Sequence, residues 1–254
     1  LFTSINGIFK DINFRNDSTI ATVSISTKDK SGFEIKKLEA RLKFTPQEME
    51  FSNLDMVTNK SHLSNYYTMR YSDFDDDMSS FLHNVTLEGN FVNTEINSDD
   101  LAFFAPALKT WNRSFTISGN ARGTVDNFSA KKMIIHSGNT TVDGDIALRG
   151  LPDFKNTFID FTANNLQTNY ADLITIVPSL RNVRQPQISK LGNIRYKGNF
   201  TGFANDFVAF GTINTNLGAV TSDINMKLLD GRAPVYAGKI STAAFNIGLF
   251  LNNK

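Results

Sequence analysis

Three aspartates in the stretch YSDFDDDMSS have the spacing that opens a calcium-binding EF-hand loop: Asp73, Asp75 and Asp77. Such a loop needs a glycine at its sixth position for a sharp turn and a bidentate glutamate at its twelfth. Here the sixth position is Met78 and the twelfth is Asn84. The cluster is therefore interpreted as a solvated surface loop, and no metal site is expected.

The chain has three histidines, His62, His83 and His136, and none has a partner at a spacing used for metal binding or catalysis. The nearest approach to the paired carboxylates of a glycosidase is Asp143 with Asp145, which share one side of a predicted strand. That side is the polar one, so both carboxylates are expected to be solvated. No catalytic residue, metal ligand or cofactor is expected, and the chain is not predicted to be an enzyme.

Two related phrases, GNARG at 119–123 and GNFTG at 198–202, have the glycine content of a phosphate-binding loop. They lack its lysine and do not lead from a strand into a helix. Both are interpreted as turns of an internal repeat.

Composition excludes several other classes of function. The 254 residues carry a formal net charge of +1 without a long basic run, so no nucleic-acid partner is expected. The absence of cysteine excludes disulfides and thiolate chemistry. The apolar stretch LAFFAPAL (101–108) is shorter than the roughly 18 residues that a membrane span requires. Because the chain starts and stops in mid-pattern, we expect it to be a piece of a longer protein.

Alternation of apolar and polar residues dominates the chain and predicts strands with one apolar face. Examples are ATVSIST (21–27) and TVDGDIAL (141–148). In FEIKKLEARLKF (33–44) the apolar phase shifts by one residue after Ile35, which predicts a β-bulge.

Two short helical segments interrupt the strands, at about 98–111 and 169–183. Ser98 or Asp99 is the predicted N-cap of the first, and Asn169 that of the second. Each contains a proline in its middle, which predicts a kink or an early stop. Apolar residues in these segments, including Phe103 and Phe104 in the first, are expected to cover part of the apolar face, and a gate or lid is the alternative.

The same two segments reveal an internal repeat, with Asp100 and Pro106 recurring 72 positions later as Asp172 and Pro178. Repeats of this length typically stack into an array. The predicted organisation is a repeat segment at 1–97, two repeats with helices at 98–168 and 169–235, and the start of a further repeat at 236–254.

The apolar faces of such repeats have three possible destinations: a sandwich, a closed barrel or helix, and an open trough. Matched glycines such as Gly119 and Gly198 lie within otherwise apolar rows. They are typical of the crease of a strongly curved sheet, although ordinary bulges in a sandwich produce the same pattern. The fold class predicted is all-β, mainly antiparallel, with short helical insertions: an elongated curved β-groove, or β-taco, built from repeats.

The phrases DLAFFAPALKTWNR, GNARGTVDNF and especially NYADLITIVPSLRNVRQPQISKLGNIRYKGNF resemble the TamB family of translocation and assembly module proteins, and more broadly the AsmA-like, bridge-type lipid-transfer proteins. The resemblance is strongest over 98–240 and contains no catalytic motif. It implies a long β-groove, lined with aliphatic and aromatic side chains, that crosses the periplasm from an inner-membrane anchor toward an Omp85-type outer-membrane barrel. The expected localisation is thus the periplasm of a Gram-negative envelope.

The expected function is conduction of phospholipid between the inner and outer membranes, with acyl chains as partners. The alternatives are an assembly or translocation factor for outer-membrane barrel proteins or secreted proteins, and a structural solenoid with a filled core. The residues predicted to line the groove are Val85, Leu87, Phe91, Phe115, Ile117, Val142, Ile146, Leu148, Ile159, Phe161, Tyr196, Phe200, Ile224, Met226 and Leu228.

Overall fold

The computed structural model describes residues 2–103, 106–153, 155–228 and 235–252. Fourteen strands are hydrogen-bonded in chain order, and every strand pair whose register is described is antiparallel. The predicted class, an antiparallel all-β fold with short helical insertions, is confirmed. The chain divides into two units, Leu1–Lys131 and Lys132–Lys254, with the boundary inside one strand.

The first unit contains five strands, two short helices, and then a strand, a short α-helix, a 3₁₀ helix and two further strands. In order they are β1 (Phe2–Arg15), β2 (Ser18–Asp29), β3 (Glu34–Thr45), β4 (Glu48–Thr58), β5 (His62–Arg70), α1 (Phe74–Ser79), α2 (Phe81–Asn84), β6 (Thr86–Asn97), α3 (Ser98–Leu101), a 3₁₀ helix (Pro106–Thr110), β7 (Ser114–Gly123) and β8 (Asn127–Ser137), which continues into the second unit.

The second unit has the same alternation of long strands and short helices. Its elements are β9 (Thr140–Arg149), β10 (Phe158–Asn169), α4 (Tyr170–Ile176), 3₁₀ helices at Pro178–Asn182 and Ile188–Leu191, β11 (Asn193–Phe203), β12 (Asp206–Thr215), β13 (Gly218–Lys227), β14 (Val235–Ala243) and α5 (Ile247–Leu251). None of the described helices has the length and apolar character needed to cross a bilayer.

Strand β2 shows how alternation becomes a two-faced sheet. Ala21 and Val23 are buried, whereas Thr22 and Ser24 between them are exposed. Successive residues of a strand point to opposite faces, so one side of β2 is apolar and the other polar.

The bulge predicted in the third strand is confirmed. Ile25 of β2 lies opposite Leu38, and Thr27 lies opposite Ile35, so β3 has one more residue than β2 in this interval. The extra residue brings Ile35 and Leu38 onto the same face despite their odd spacing.

The buried core of the first unit lies on the apolar face of β2, β3 and β4. It consists of Ala21, Val23, Leu38, Ala40, Phe51 and Leu54, with half-buried methionines, tyrosine and aliphatic residues packed around it. This buried cluster therefore spans three adjacent strands.

Both predicted helical segments form, with α-helices of one or two turns, as predicted. Asn97, rather than Ser98 or Asp99, is the N-cap of α3, and its side-chain oxygen accepts a hydrogen bond from the Asp99 N–H at 2.9 Å. The N-cap predicted for α4, Asn169, is confirmed. Both α-helices end before their proline, which instead starts a 3₁₀ helix. Phe104 lies outside the described residues.

The acidic stretch predicted to be a loop is helical. Asp73 caps α1 by accepting from the Asp76 N–H at 3.0 Å, and two backbone N–H groups hydrogen-bond to the Asp77 carboxylate and lower its pKa. Carboxylates in the first turn of a helix are stabilised by its dipole. Phe74 holds the helix in place, since its ring makes edge contacts with Phe44 and Tyr71.

The two glycine phrases are also not turns. GNARG ends strand β7, and GNFTG lies inside β11. Their glycines have positive φ values, including 138° at Gly119 and 157° at Gly198. They therefore bend strands locally while the hydrogen-bonded ladder continues through them.

Candidate apolar binding face and its end cavity

One face of the second unit carries apolar side chains in rows that cross the strands. Phe161 of β10 lies opposite Ile146 of β9 and Phe200 of β11, and the row continues through Ala209 to Ile224 of β13. Directly opposed residues of an antiparallel pair point to the same face. Residues nearly 80 positions apart in the sequence thus form one surface.

Two further rows flank this one on the same face. They contain Leu148, Ile159, Gly202, Phe207 and Met226 on one side, and Val142, Leu166, Tyr196, Ile213 and Val220 on the other. Together the three rows form the second-unit apolar face. Nine residues predicted to line the groove share it: Val142, Ile146, Leu148, Ile159, Phe161, Tyr196, Phe200, Ile224 and Met226. Leu228 follows the end of β13 and is 41% exposed.

The second-unit apolar face is not buried by the side chains around it. All nine of those residues are half-buried. Among the described hydrophobic residues of this unit, those fully buried are Met133, Ala163 and Ile194. A filled core buries most of its apolar side chains and packs them closely. The face therefore retains apolar area that a ligand could cover.

A row of small residues divides this face. Gly144, Ala163, Gly198, Gly211 and Ser222 lie opposite one another from β9 to β13. A Cβ added at Gly198 would lie 2.1 Å from a carbonyl oxygen of β12, so the strand backbones approach too closely there for any side chain. This row of small residues lies between the rows of larger side chains, at the place where the glycines predicted the crease of a curved sheet.

Tyr196 adds the only tyrosine ring among the nine. Its hydroxyl lies 2.9 Å from the Asn199 carbonyl oxygen and 3.1 Å from that of Phe210. Burial raises the pKa of Tyr196, so its phenol is neutral. Because the hydroxyl is already paired with the backbone, only the ring is available to a ligand.

The five predicted residues of the first unit lie in and beside β6 and β7. Leu87, Phe91, Phe115 and Ile117 are half-buried, and Phe91 pairs with Gly119 across the two strands. Val85 is fully buried just before β6, so it is not accessible to a ligand in this structure.

The first unit contains a cavity of about 280 Å³ where α3 meets strands β3 to β6. Ile35, Met56, Leu63 and Ile96 contribute aliphatic and thioether surface, and Leu101 of α3 lines it as well. Nearby, the rings of Phe33 and Phe103 are in edge contact, with centroids 5.4 Å apart. Helix α3 therefore covers part of the apolar face, as predicted.

Asp100 holds α3 over this cavity and is 5% exposed. Its Oδ2 accepts hydrogen bonds from the hydroxyl of Thr58 at the end of β4 and, in the turn before β5, from the Ser61 hydroxyl at 2.7 Å and the Lys60 N–H at 3.0 Å. Burial opposes ionisation of Asp100, but these hydrogen bonds outweigh it and lower the pKa. We refer to this set of hydrogen bonds as the Asp100 clasp.

An equivalent clasp occurs in the second unit at the repeat-related residue. Asp172 of α4 accepts from the N–H of Asn139, in the turn before β9, at 2.8 Å and from the hydroxyl of Thr140, the first residue of β9, at 3.1 Å. In both units the helix follows a strand and is tied to the turn that precedes the neighbouring strand. The repeat alignment marked both aspartates, but not the turns to which they bind.

The three histidines lie apart from one another, each with its own polar neighbour. His62 lies 2.6 Å from Asp55, and His83 lies 2.7 Å from Asp126. His136 contacts a threonine hydroxyl at 3.1 Å. Within the described part of the chain, no three acidic or histidine side chains are grouped so that they could hold a metal ion.

The fold and this face define a class of protein: an antiparallel β-sheet with repeated helix clasps and an unfilled apolar face. Comparison of the chain with protein-family models, with curated proteins and with solved structures finds no match.

Proposed function

We propose that the chain binds lipid hydrocarbon on its apolar face and conducts phospholipid between the inner and outer membranes of a Gram-negative envelope. The observation that carries the proposal is the second-unit apolar face, where nine apolar side chains share one surface and none is fully buried. Contiguous apolar surface of this kind on a protein usually marks a binding site. The identification of the two membranes and of an Omp85-type barrel as partners comes from the resemblance to bridge-type lipid-transfer proteins.

The energetics suit movement of lipid along the sheet. Five strands spaced about 4.8 Å apart make the rows from β9 to β13 about 19 Å long. Burial of an acyl chain contributes roughly 0.8 kcal/mol per methylene, or at most about 13 kcal/mol for some 16 methylenes. Leaving a bilayer costs a similar amount, so transfer onto the face is nearly isoenergetic, and direction has to come from outside the chain.

The test compares one residue on the face with one on the opposite side of the sheet. Ile224 lies in the central apolar row, whereas Val208 on β12 points the other way and is 43% exposed. We expect the purified chain and Val208→Asp to carry lipid detectable by native mass spectrometry, and Ile224→Asp and Ile146→Asp to lose it.

All three variants should stay folded. Replacing a half-buried aliphatic side chain costs about 1 kcal/mol, which lowers the melting temperature by about 2–4 °C in a chain of this size. Unfolding of Ile224→Asp would indicate a filled core, because a charge would then be buried without a partner. Lipid retained by Ile224→Asp would contradict the proposal directly.

A second candidate, assembly of outer-membrane barrel proteins, is favoured by one observation. β14 pairs with β13 on one side, and all nine of its residues are exposed, including Tyr236 at 70% and Ile240 at 56%. Such an edge is a template for an incoming strand. The test places a photocrosslinker at Ile240 in one variant and at Ile224 in another. Capture of polypeptide at Ile240, together with no capture of lipid at Ile224, would favour this role over lipid conduction.

A further inference from the structure

The cavity under α3 is lined by a tyrosine, Tyr67, whose phenol can act as a hydrogen-bond donor. The Tyr67 side chain is on the apolar face of β5, opposite Phe51, whose ring stacks on it with centroids 6.4 Å apart. No described residue hydrogen-bonds to the Tyr67 hydroxyl, in contrast to that of Tyr196. Burial raises the pKa of Tyr67, so the phenol keeps its proton and remains a donor.

The Tyr67 hydroxyl is also within reach of a ligand. In the described chain, the side-chain polar atoms that are fully enclosed and unpaired are Thr94 Oγ1 and Asp100 Oδ1. The hydroxyl of Tyr67 is not one of them, so it retains accessible surface on a residue that lines the cavity. A ligand acceptor can therefore replace water at this hydroxyl and take its hydrogen bond.

Asp100 determines what charge that acceptor can carry. It lines the same cavity and is ionised, with its Oδ2 held by the clasp and its Oδ1 enclosed. Neither oxygen is free to take a ligand, but the negative charge remains beside an apolar space where screening is weak. A second anion is therefore disfavoured there, whereas a neutral carbonyl is not.

The volume sets the size of the occupant. A cavity of about 150 Å³ lined by Leu, Ile and Phe holds benzene, with six carbons. At about 280 Å³, this cavity has room for about eleven carbons.

We propose that this cavity binds an acyl chain of a neutral ester, with the Tyr67 hydroxyl donating a hydrogen bond to the ester carbonyl oxygen, and that it rejects the corresponding fatty-acid anion. This rests on the proposed lipid-binding function and narrows it. Ester-linked acyl chains would be retained on the sheet, and free fatty acids would not.

The experiment measures binding of methyl octanoate and of octanoate to the whole chain by ligand-observed NMR titration at pH 7. The informative variant is Tyr67→Phe, which removes only the hydroxyl. Tyr66→Phe is the matched control, since Tyr66 lies next to it and points to the opposite face, opposite Ser52. We expect the ester to bind at least tenfold more tightly than the anion, and Tyr67→Phe to weaken the ester about fivefold, the value of one hydrogen bond. Tyr66→Phe should leave binding unchanged.

Two results would overturn the inference: an ester affinity unaffected by Tyr67→Phe, or octanoate binding as tightly as its ester. The lipid content of the purified chain separates this failure from failure of the proposed function. If Ile224→Asp removes co-purified lipid while Tyr67→Phe has no effect on the probe, lipid binding stands and the Tyr67 site is wrong. If no lipid co-purifies but Tyr67→Phe weakens the ester, the cavity stands and lipid conduction is wrong.

Discussion

Replacement of Asp100 tests how the helix is fixed over the sheet. Asp100→Asn keeps the shape of the side chain but removes the charge, and its amide nitrogen would either displace the accepting oxygen or occupy the enclosed Oδ1 position. A buried polar group left unpaired costs about 1–3 kcal/mol. We therefore expect a loss of about 2 kcal/mol. Asp100→Ala leaves three donors at residues 58–61 without this acceptor, and a loss of about 3–5 kcal/mol is expected.

Amide hydrogen exchange is the suitable assay, because the loss should be local. Protection should fall at the Lys60 amide and in α3 of Asp100→Asn. Asp172→Asn is the matched variant in the second unit, and it should deprotect the Asn139 amide instead. Unchanged exchange at Lys60 in Asp100→Asn would refute the view that the clasp holds α3.

The pH dependence follows from the lowered pKa of Asp100. Its carboxylate stabilises the fold above the unfolded-state pKa of about 3.9, and this contribution is lost as pH falls through the lower folded-state pKa. The difference in free energy of unfolding between wild type and Asp100→Asn should be constant from pH 7 to 5 and shrink below about pH 4. A difference that shrinks already between pH 7 and 5 would contradict the ionised clasp.

Two further changes test the sheet and the α1 contact. Gly198→Ala should destabilise the chain by about 2–3 kcal/mol in chemical denaturation, because its Cβ would overlap a neighbouring carbonyl oxygen. The control Gly7→Ala, whose Cβ would have its nearest contact at 3.4 Å, should cost less than about 0.5 kcal/mol. Equal losses in the two variants would count against the close approach of the strands at Gly198. Phe74→Ala should cost about 1–2 kcal/mol, since it removes ring contacts with Phe44 and Tyr71, and a neutral result would show that α1 is not anchored there.

Local features of the fold were predictable where the physical cause is local. The bulge after Ile35 and the Asn169 cap depend on a few consecutive residues, and both are confirmed. Helix α1 was not predicted, because the acidic residues matched a solvated loop and the contact between Phe74 and Phe44 joins residues 30 positions apart. The Asn97 cap was missed by one or two residues, since Ser and Asp are equally good caps in isolation.

The candidate site was only partly predictable for the same reason. Alternation identified which residues of each strand are apolar, and so nine residues of the second unit fell on one face. The cavity under α3 was not predicted, because Tyr67 is one apolar-face residue among many until α3 covers it. The aspartate of the clasp was visible as a repeated residue, but its partners in the turn were not.

The sequence by itself determined the period of the strands, their two-faced character and the places where short helices interrupt them, because these depend on side-chain direction and backbone preference within a few residues. Only the tertiary structure decided which strands' glycines meet in one row, which turn each aspartate binds and whether the apolar face is filled. Those outcomes depend on hydrogen-bond register between strands, and a one-residue slip in register would move every side chain of a strand to the other face.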